Sequence, residues 1–332
     1  LEQEHVEQAA FDAAREELVS GLAAASPDTA ALASRWFERA LYRKDHRYQT
    51  DRVDEATRVT ALKSLTSKQL EAFWKGERRA EHVTVSIVGP IDEARAEELA
   101  RLGTPRFRVG PSSSEAAVRI APRTLLIDAP LAKEVRVRFN WPVTAWGTPG
   151  FVDGIGLRWV IAKGEPSVLA QILEENGVKN LQGWAGDSFV ERDDTSVTLT
   201  AVVPKTEVVG LFKSVNAFVG RLQQGDISWH AEQEARRASV QWVTRYLDDA
   251  SECLGFLSVH TDLEVPKQSG EDIYVLAQRM SRASLAKAAS VLAPEKATVI
   301  VYGPVADLAP SLQGLGFAPT SVLFTAEGAK AP

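Results

Sequence analysis

Five histidines, one cysteine and 44 acidic residues are the groups from which this chain could assemble a metal or acid–base site. A hydrolytic zinc site needs two histidines on one helix face, about a turn apart. It also needs a carboxylate to act as general base, and one open coordination position for water. His5, His46, His82, His230 and His260 offer no such pair, because neither HxxEH nor HExxH occurs anywhere in the chain. His230, in HAEQE, and His5, in EHVEQ, stand beside acids on helical stretches, the pattern of a solvated helix face. Cys253 is alone in DDASECLGFL, so neither an intrachain disulfide framework nor a cysteine-only zinc site can form, and its helical setting reads as that of a buried, inert thiol. The acids Glu191 to Asp194 fall at an expected hairpin turn, where turn chemistry and solubility account for them. There is no GxSxG, no glycine-rich phosphate loop and no Walker lysine.

Composition narrows the classes further. A net charge of −6 spread along the chain, with no basic stripe, argues against nucleic acid as the main partner. No apolar run is long enough to span a membrane. The length of 332 residues and 45% hydrophobic content match two units with ample core. The chain starts at Leu1 with neither methionine nor a signal peptide, which reads as a processed product or a fragment, and nothing in the sequence assigns a compartment.

The elements that must position any site are announced by an internal echo. EHVTVSIVGPID, from Glu81, and EKATVIVYGPVA, from Glu295, share Glu81/Glu295, Thr84/Thr298, Val85/Val299, Gly89/Gly303 and Pro90/Pro304 at one constant offset. Each is expected to form a buried strand stopped by Gly-Pro, since proline cannot donate to a ladder. Leu65-Thr66 with Leu70 precedes the first copy much as Met280-Ser281 with Leu285 precedes the second, and Thr66 and Ser281 are each placed to cap the following helix. DEARAEELARLG and ADLAPSLQGLG then supply two short helices ending at Leu102-Gly103 and Leu315-Gly316. The chain thus finishes a domain twice, as helix, strand and short helix.

The two units differ in what precedes that ending. The first opens with helices over 2–24 and 32–42, a loop holding KDHRYQTD, and helices over 53–62 and 67–74, with no other strong strand. A lone strand cannot bury its faces, so the first echo strand is expected to join a sheet made by something else. The stretch from Gly103 to Ala121 reads as a linker. Beyond it LLIDAP and EVRVRFNWP give strands, helices run over 152–163 and 167–176, and LQGWAGDSF pairs with SVTLTAVVP. Two long helices, TEVVGLFKSVNAFVGRLQQG and SWHAEQEARRASVQWVTRYL, lead to the second echo as a returning edge strand. This order predicts an α+β sandwich, with helices on one face of a mixed, largely antiparallel sheet. Trp159, Trp229 and Trp242 fall on expected helices and are assigned to the core. Trp184, in LQGWAG, is placed to line a groove where an extended peptide adds to the sheet edge.

In its order of elements the chain resembles the M16 (pitrilysin or insulinase) family of zinc metallopeptidases. The likeness is carried by AREELVSGL through ASPDTAALASRWFERALYRKDHRY to VTVSIVGPID, by GEPSVLAQILEENGVKNLQGWAGDSF, and by the late helix DISWHAEQEARRASVQWVTRY. The resemblance implies repeated metallopeptidase-like α/β domains, the first incomplete: residues 1–103 as the rear half of a domain, 104–121 as linker and 122–332 as a complete domain. Members bind zinc through an HxxEH run plus a distant glutamate, and the resemblance implies that Glu16 or Glu17, in AREELVSGL, matches the position of that glutamate, with Glu17 on the less bulky stripe that another helix could approach. With no HxxEH here, Glu17 is a zinc ligand only where another segment supplies the histidines. The family's substrate-holding arginine and tyrosine are absent from the matching turn, ILEENGVKNLQ. The resemblance therefore implies a non-catalytic portion or partner subunit of an M16-like zinc peptidase, inactive alone and forming part of the peptide-binding chamber. Its partners would be a peptide or protein substrate and a catalytic M16-like subunit or segment. Zinc would belong to the complete assembly and not to this chain alone. The alternative is a structural or protein-binding subunit that kept the fold and lost catalysis.

Overall fold

A computed structural model of the chain describes residues 6–24, 55–77, 85–103, 121–143, 150–190, 195–262, 269–317 and 320–325. The fold divides into two compact units, whose described residues lie before and after the stretch 104–120.

The regular elements among the first unit's described residues are helices: α1 (Gln8–Ala24), α2 (Glu55–Ser64), α3 (Ser67–Glu77) and α4 (Glu93–Gly103). Phe11 is buried on α1, and the Arg15 guanidinium lies over its ring at 5.1 Å while donating to the Leu65 carbonyl at 3.1 Å. The Ser67 hydroxyl donates to Gln8 at 2.7 Å and the Val6 amide to Glu71 at 2.9 Å, so α1 is tied to the start and middle of α3. Thr66 caps α3 as expected: its Oγ1 accepts from the Gln69 amide at 3.3 Å, and Gln69 Oε1 accepts from the Thr66 amide at 2.9 Å. The expected helix over 32–42 and the loop after it lie outside the described residues, as does the start of the first echo.

The first echo departs from expectation. Val85 to Val88 belong to no strand, and Val85 is 47% exposed. Alternation of apolar residues creates a face but no partner, and a strand forms only where a neighbouring strand shares its backbone hydrogen bonds. The same unit leaves Phe73 63% and Leu102 68% exposed.

The second unit holds a six-stranded mixed sheet. Its strands are β1 (Thr124–Asp128), β2 (Glu134–Val143), β3 (Gln182–Val190), β4 (Thr195–Pro204), β5 (Thr298–Gly303) and β6 (Thr320–Thr325), in the order β3-β4-β2-β5-β1-β6. β1 pairs in parallel with β5 and β6, and the other three pairings are antiparallel, so the sheet is largely antiparallel as the sequence predicts. The second echo, β5, corrects the expectation of an edge strand. It lies between β2 and β1 with all six residues buried, and the edges are β3 and the unforeseen β6. Periodicity reports faces, not edges, which is why the sequence left this position open.

The period-two pattern of β2 sends Val135, Val137, Phe139 and Trp141 to one face, where they meet Val203, Ala201, Leu199 and Val197 of β4. Phe139 stacks on Trp141 at 5.7 Å and meets Phe212 edge-on at 5.1 Å. Burying side chains of this size stabilises the fold by about 1.5–3 kcal/mol each. On the opposite face the buried Asn140 donates to Ser196 Oγ at 2.8 Å, so its amide is not left unpaired.

Helices α5 (Phe151–Trp159) and α7 (Val208–Gln223) lie against the sheet, and α6 (Pro166–Glu175) packs on α7. Helix α8 (Trp229–Asp248) packs on α5 and carries α9 (Ala250–Asp262) and α10 (Ser269–Arg279). Helix α11 (Arg282–Ala289) is capped by Ser281, which accepts from the Ser284 amide at 3.2 Å in a reciprocal box, the counterpart of Thr66. A single turn, α12 (Val305–Leu308), follows β5, shorter than the helix expected there, before the chain turns at Gly314 and Gly316. Trp159 and Trp242 pack against the core, but Trp229, on the first turn of α8, is 67% exposed, contrary to expectation. A helical position alone does not say which face it occupies. Cys253 is on α9, half-buried. Among the described residues no helix is long and apolar enough to cross a membrane.

The closest approach in this layer is at Gly210 on α7, where a Cβ would stand 2.3 Å from the Asn176 carbonyl oxygen. We expect Gly210→Ala to push α7 from the end of α6 and destabilise the second unit by about 1–3 kcal/mol. A lowered urea midpoint in tryptophan fluorescence checks this.

Candidate functional site

Among the described strands, β3 stands at one end of the sheet with β4 as its neighbour. β3 pairs with β4 over Ala185–Val190, while its start is offset by a bulge between Gln182 and Ala185 where Gly183 takes a left-handed φ of 62°. The loop entering β3 is fixed from α6. Gly177 turns the chain with φ 74°, the Val178 amide donates to the Leu173 carbonyl at 2.8 Å, and Asn176 Nδ2 donates to the Ile172 carbonyl at 2.8 Å. Glu207 then gathers the next two amides. Its Oε2 accepts from Lys179 N at 2.8 Å and Asn180 N at 2.9 Å, and its Oε1 accepts from Asn180 Nδ2 at 2.7 Å. These donors, the Asn180 amide foremost, hold the Glu207 carboxyl below the usual carboxylate range against a smaller opposing effect of burial.

Trp184 anchors the wall behind the edge. After α5 the chain makes a widened π turn over Val160–Gly164, in which carbonyls look five residues ahead for a donor. For Ile161 that residue is Pro166, which has no N–H, and the indole of Trp184 donates instead, at 2.8 Å. The close seating of the turn depends on Gly186 of β3, where a Cβ would stand 2.7 Å from the Arg158 carbonyl oxygen. Arg158 reaches back to β3, 3.3 Å from Ser188 Oγ and 3.4 Å from Asp187, with its guanidinium over Trp159 at 4.9 Å.

Turn, α6, α7 and β3 together enclose a recess of about 230 Å³, whose walls include Ile161, Leu169, Leu173, Trp184 and Phe218. Trp184 meets Phe218 edge-on at 6.4 Å. Glu165 also lines the recess and is only 7% exposed. Its Oε1 accepts from the Ser228 amide at 2.5 Å, at the start of α8, where Ser228 Oγ in turn accepts from the Ala231 amide at 3.1 Å. A helix N-terminus is a favourable place for a buried carboxylate, because amide dipoles there point at it.

The site residues expected from sequence are not brought together. Trp184 is half-buried in the recess wall, whereas Glu17 is exposed on α1 in the first unit. His230 is exposed on α8 and His260 falls within α9, while His5, His46 and His82 lie outside the described residues. Among the described residues no three His, Cys, Asp or Glu side chains converge as a metal site, so the residues described do not by themselves fit a zinc ion. Glu165, Glu207 and Phe218 escaped the sequence reading. Glu165 stands beside a proline that opens a helix, a local capping signal, but nothing local places its carboxylate on a helix 63 residues away.

No protein-family model matches the sequence, and no curated protein matches it either. Solved structures do. A peptidase M16 inactive domain from Pseudomonas fluorescens superposes with a TM-score of 0.72 at 16% identity, over 90% of this chain and 71% of that one. The fold is that of M16 peptidase domains. A protease from Helicobacter pylori gives 0.71 at 13% identity, over 90% of this chain and 73% of that one. Complex III2 from Candida albicans, with Inz-5 bound, contains a chain that gives 0.69 at 10% identity, over 89% of this chain and 71% of that one. What the M16 fold shares with this chain is the architecture of sheet and helices, and β3 is one of its two open edges here.

The lowered Glu207 carboxyl makes its contribution to stability pH-dependent. Because its folded pKa lies below its unfolded one, the contribution is fully present above the unfolded value of about 4.3 and is lost as pH falls through the folded value. Glu207→Gln is therefore expected to lower the urea midpoint at neutral pH and to converge with the unsubstituted chain in acid. Parallel midpoint curves at all pH values would exclude this role.

Proposed function

We propose that the chain is a non-catalytic portion or partner subunit of an M16-like zinc peptidase and forms part of its peptide-holding chamber. One observation carries this reading: the first echo, Val85 to Val88, lies in no strand, while its counterpart β5 is buried between two neighbours. Exposed Phe73 and Leu102 in the same unit are consistent with a helical layer that receives strands from elsewhere. The shared fold with an M16 inactive domain supports the same reading.

In the complete assembly the partner would supply the HxxEH helix, and Glu17 would be the third zinc ligand. Bound there, zinc would polarise the scissile carbonyl and lower the pKa of its water. This chain's own contribution is positioning: β3 offers its free edge to an extended peptide, and the Trp184 recess takes one side chain. The second reading, a structural subunit without catalysis, is favoured by the shared fold with a chain of complex III2.

Co-expression with the strand-bearing M16-like segment or subunit encoded beside it separates the two. The first reading expects a stable complex with stoichiometric zinc that cleaves an unstructured peptide, and loss of both zinc and cleavage in Glu17→Gln. A stable complex with neither zinc nor cleavage supports the structural reading. Absence of any complex overturns both.

A further inference from the structure

The recess behind β3 carries more chemistry than an apolar side-chain pocket needs. Glu165 is the buried charge in its wall, and only one of its carboxylate oxygens is engaged, by the Ser228 amide. The other has no protein donor among the described residues, and Glu165 is one of the residues that line the recess. A buried carboxylate with a free oxygen is costly unless a donor or a cation completes it. The adjoining walls are the faces and edges of Trp184 and Phe218 and the aliphatic side chains of Leu169 and Leu173. Trp229, the residue after Ser228, is 67% exposed, so an unpaired indole stands one residue from the Glu165 contact.

We infer that this recess binds an arginine side chain of a peptide added to the β3 edge. The inference rests on the reading of β3 as a peptide-receiving edge. An added strand would stand about 4.8 Å from β3, and its side chains on the Trp184 face would project beside the indole into the recess. The three methylenes of arginine match the aliphatic wall, the weakly hydrated guanidinium stacks on aromatic faces, and its fork of donors reaches the free carboxylate oxygen. Lys163 is the opposing charge in the lining, but it is exposed and water screens it, whereas the Glu165 charge acts across a dry wall. Lysine, with a compact and strongly hydrated ammonium, loses more on entering the same walls.

The test is titration calorimetry of the full chain with two acetylated, amidated heptapeptides of alternating threonine and valine, one with arginine at the centre and one with its uncharged isostere citrulline. The arginine peptide is expected to bind about tenfold more tightly. In Glu165→Gln, which keeps an acceptor for the Ser228 amide, the preference is expected to fall to about twofold or less. Equal binding of the two peptides by the unsubstituted chain overturns the arginine inference and leaves the edge reading standing. Binding of neither overturns the edge reading and the inference with it. Should the variant fail to fold, the arginine-to-citrulline ratio on the unsubstituted chain decides alone.

Discussion

A strand inside a sheet needs a neighbour on each side, and β5 is where this protein depends on that requirement. Its amides and carbonyls are shared between β1 in parallel and β2 in antiparallel, and neither neighbour is near it in sequence. Before β5 arrives, β1 has no partner on that side and β2 is the exposed end of the antiparallel strands β3-β4-β2. After it arrives, Val299 and Val301 close the apolar layer begun by Val137 and Phe139. The described part of the first echo, Val85 to Val88, has no such neighbours among the described residues and belongs to no strand. Pairing, not propensity, makes the strand.

The helix side of the sheet is shaped by close backbone approaches and by carboxylates that collect amides. Gly186 lets the π turn sit on β3, and the lost regularity of that turn leaves a carbonyl that the Trp184 indole takes up. Glu165 ties the same turn to the start of α8, and Glu207 ties the start of α7 to the loop that enters β3. Each carboxylate satisfies donors that would otherwise be unpaired at an element's end. The recess is thus a consequence of how the elements end, and its polar group is there for architecture first. Burial has the reverse effect at Asp153 on α5, where it pushes the carboxyl up against the hydrogen bond from Ser284 and the charge of Lys287. That group favours the folded state more in acid and less as pH rises.

What the sequence made legible was local. The caps at Thr66 and Ser281, the alternation of β2 and the β3-β4 pairing follow from nearest neighbours, and the described residues carry them; the first helix, expected from residue 2, begins only at Gln8. Strand order was not legible, because β5 as edge or centre gives the same alternation. β6 was missed because SVLFT sits among proline, threonine and glycine that read as coil, and its partner, β1, is almost 200 residues earlier. Trp229 was misplaced because the apolar stripe of α8 was read without its phase. Trp184 could be singled out as an aromatic on a strand, but its partners Ile161 and Phe218 come from two other elements, and no spacing in the chain encodes their meeting.

The two units end in surfaces of different kind, and the energetics of each set what can satisfy it. The first exposes Phe73, Trp74 and Leu102 and holds Val85 to Val88 outside any strand, so a cover that reached both would gain apolar burial and backbone pairing together, the profile of a permanent interface. The edge of β3 offers backbone groups beside largely polar or small side chains. Net gains near 1 kcal/mol per hydrogen bond are roughly cancelled by the 1–2 kcal/mol needed to order each residue of a flexible peptide. Strand addition at β3 therefore gives geometry with little affinity. A segment that bound there tightly would have to draw its surplus from a side chain, so in the proposed complex selectivity would come from the apolar lining of the recess and the Glu165 carboxylate and not from the ladder itself.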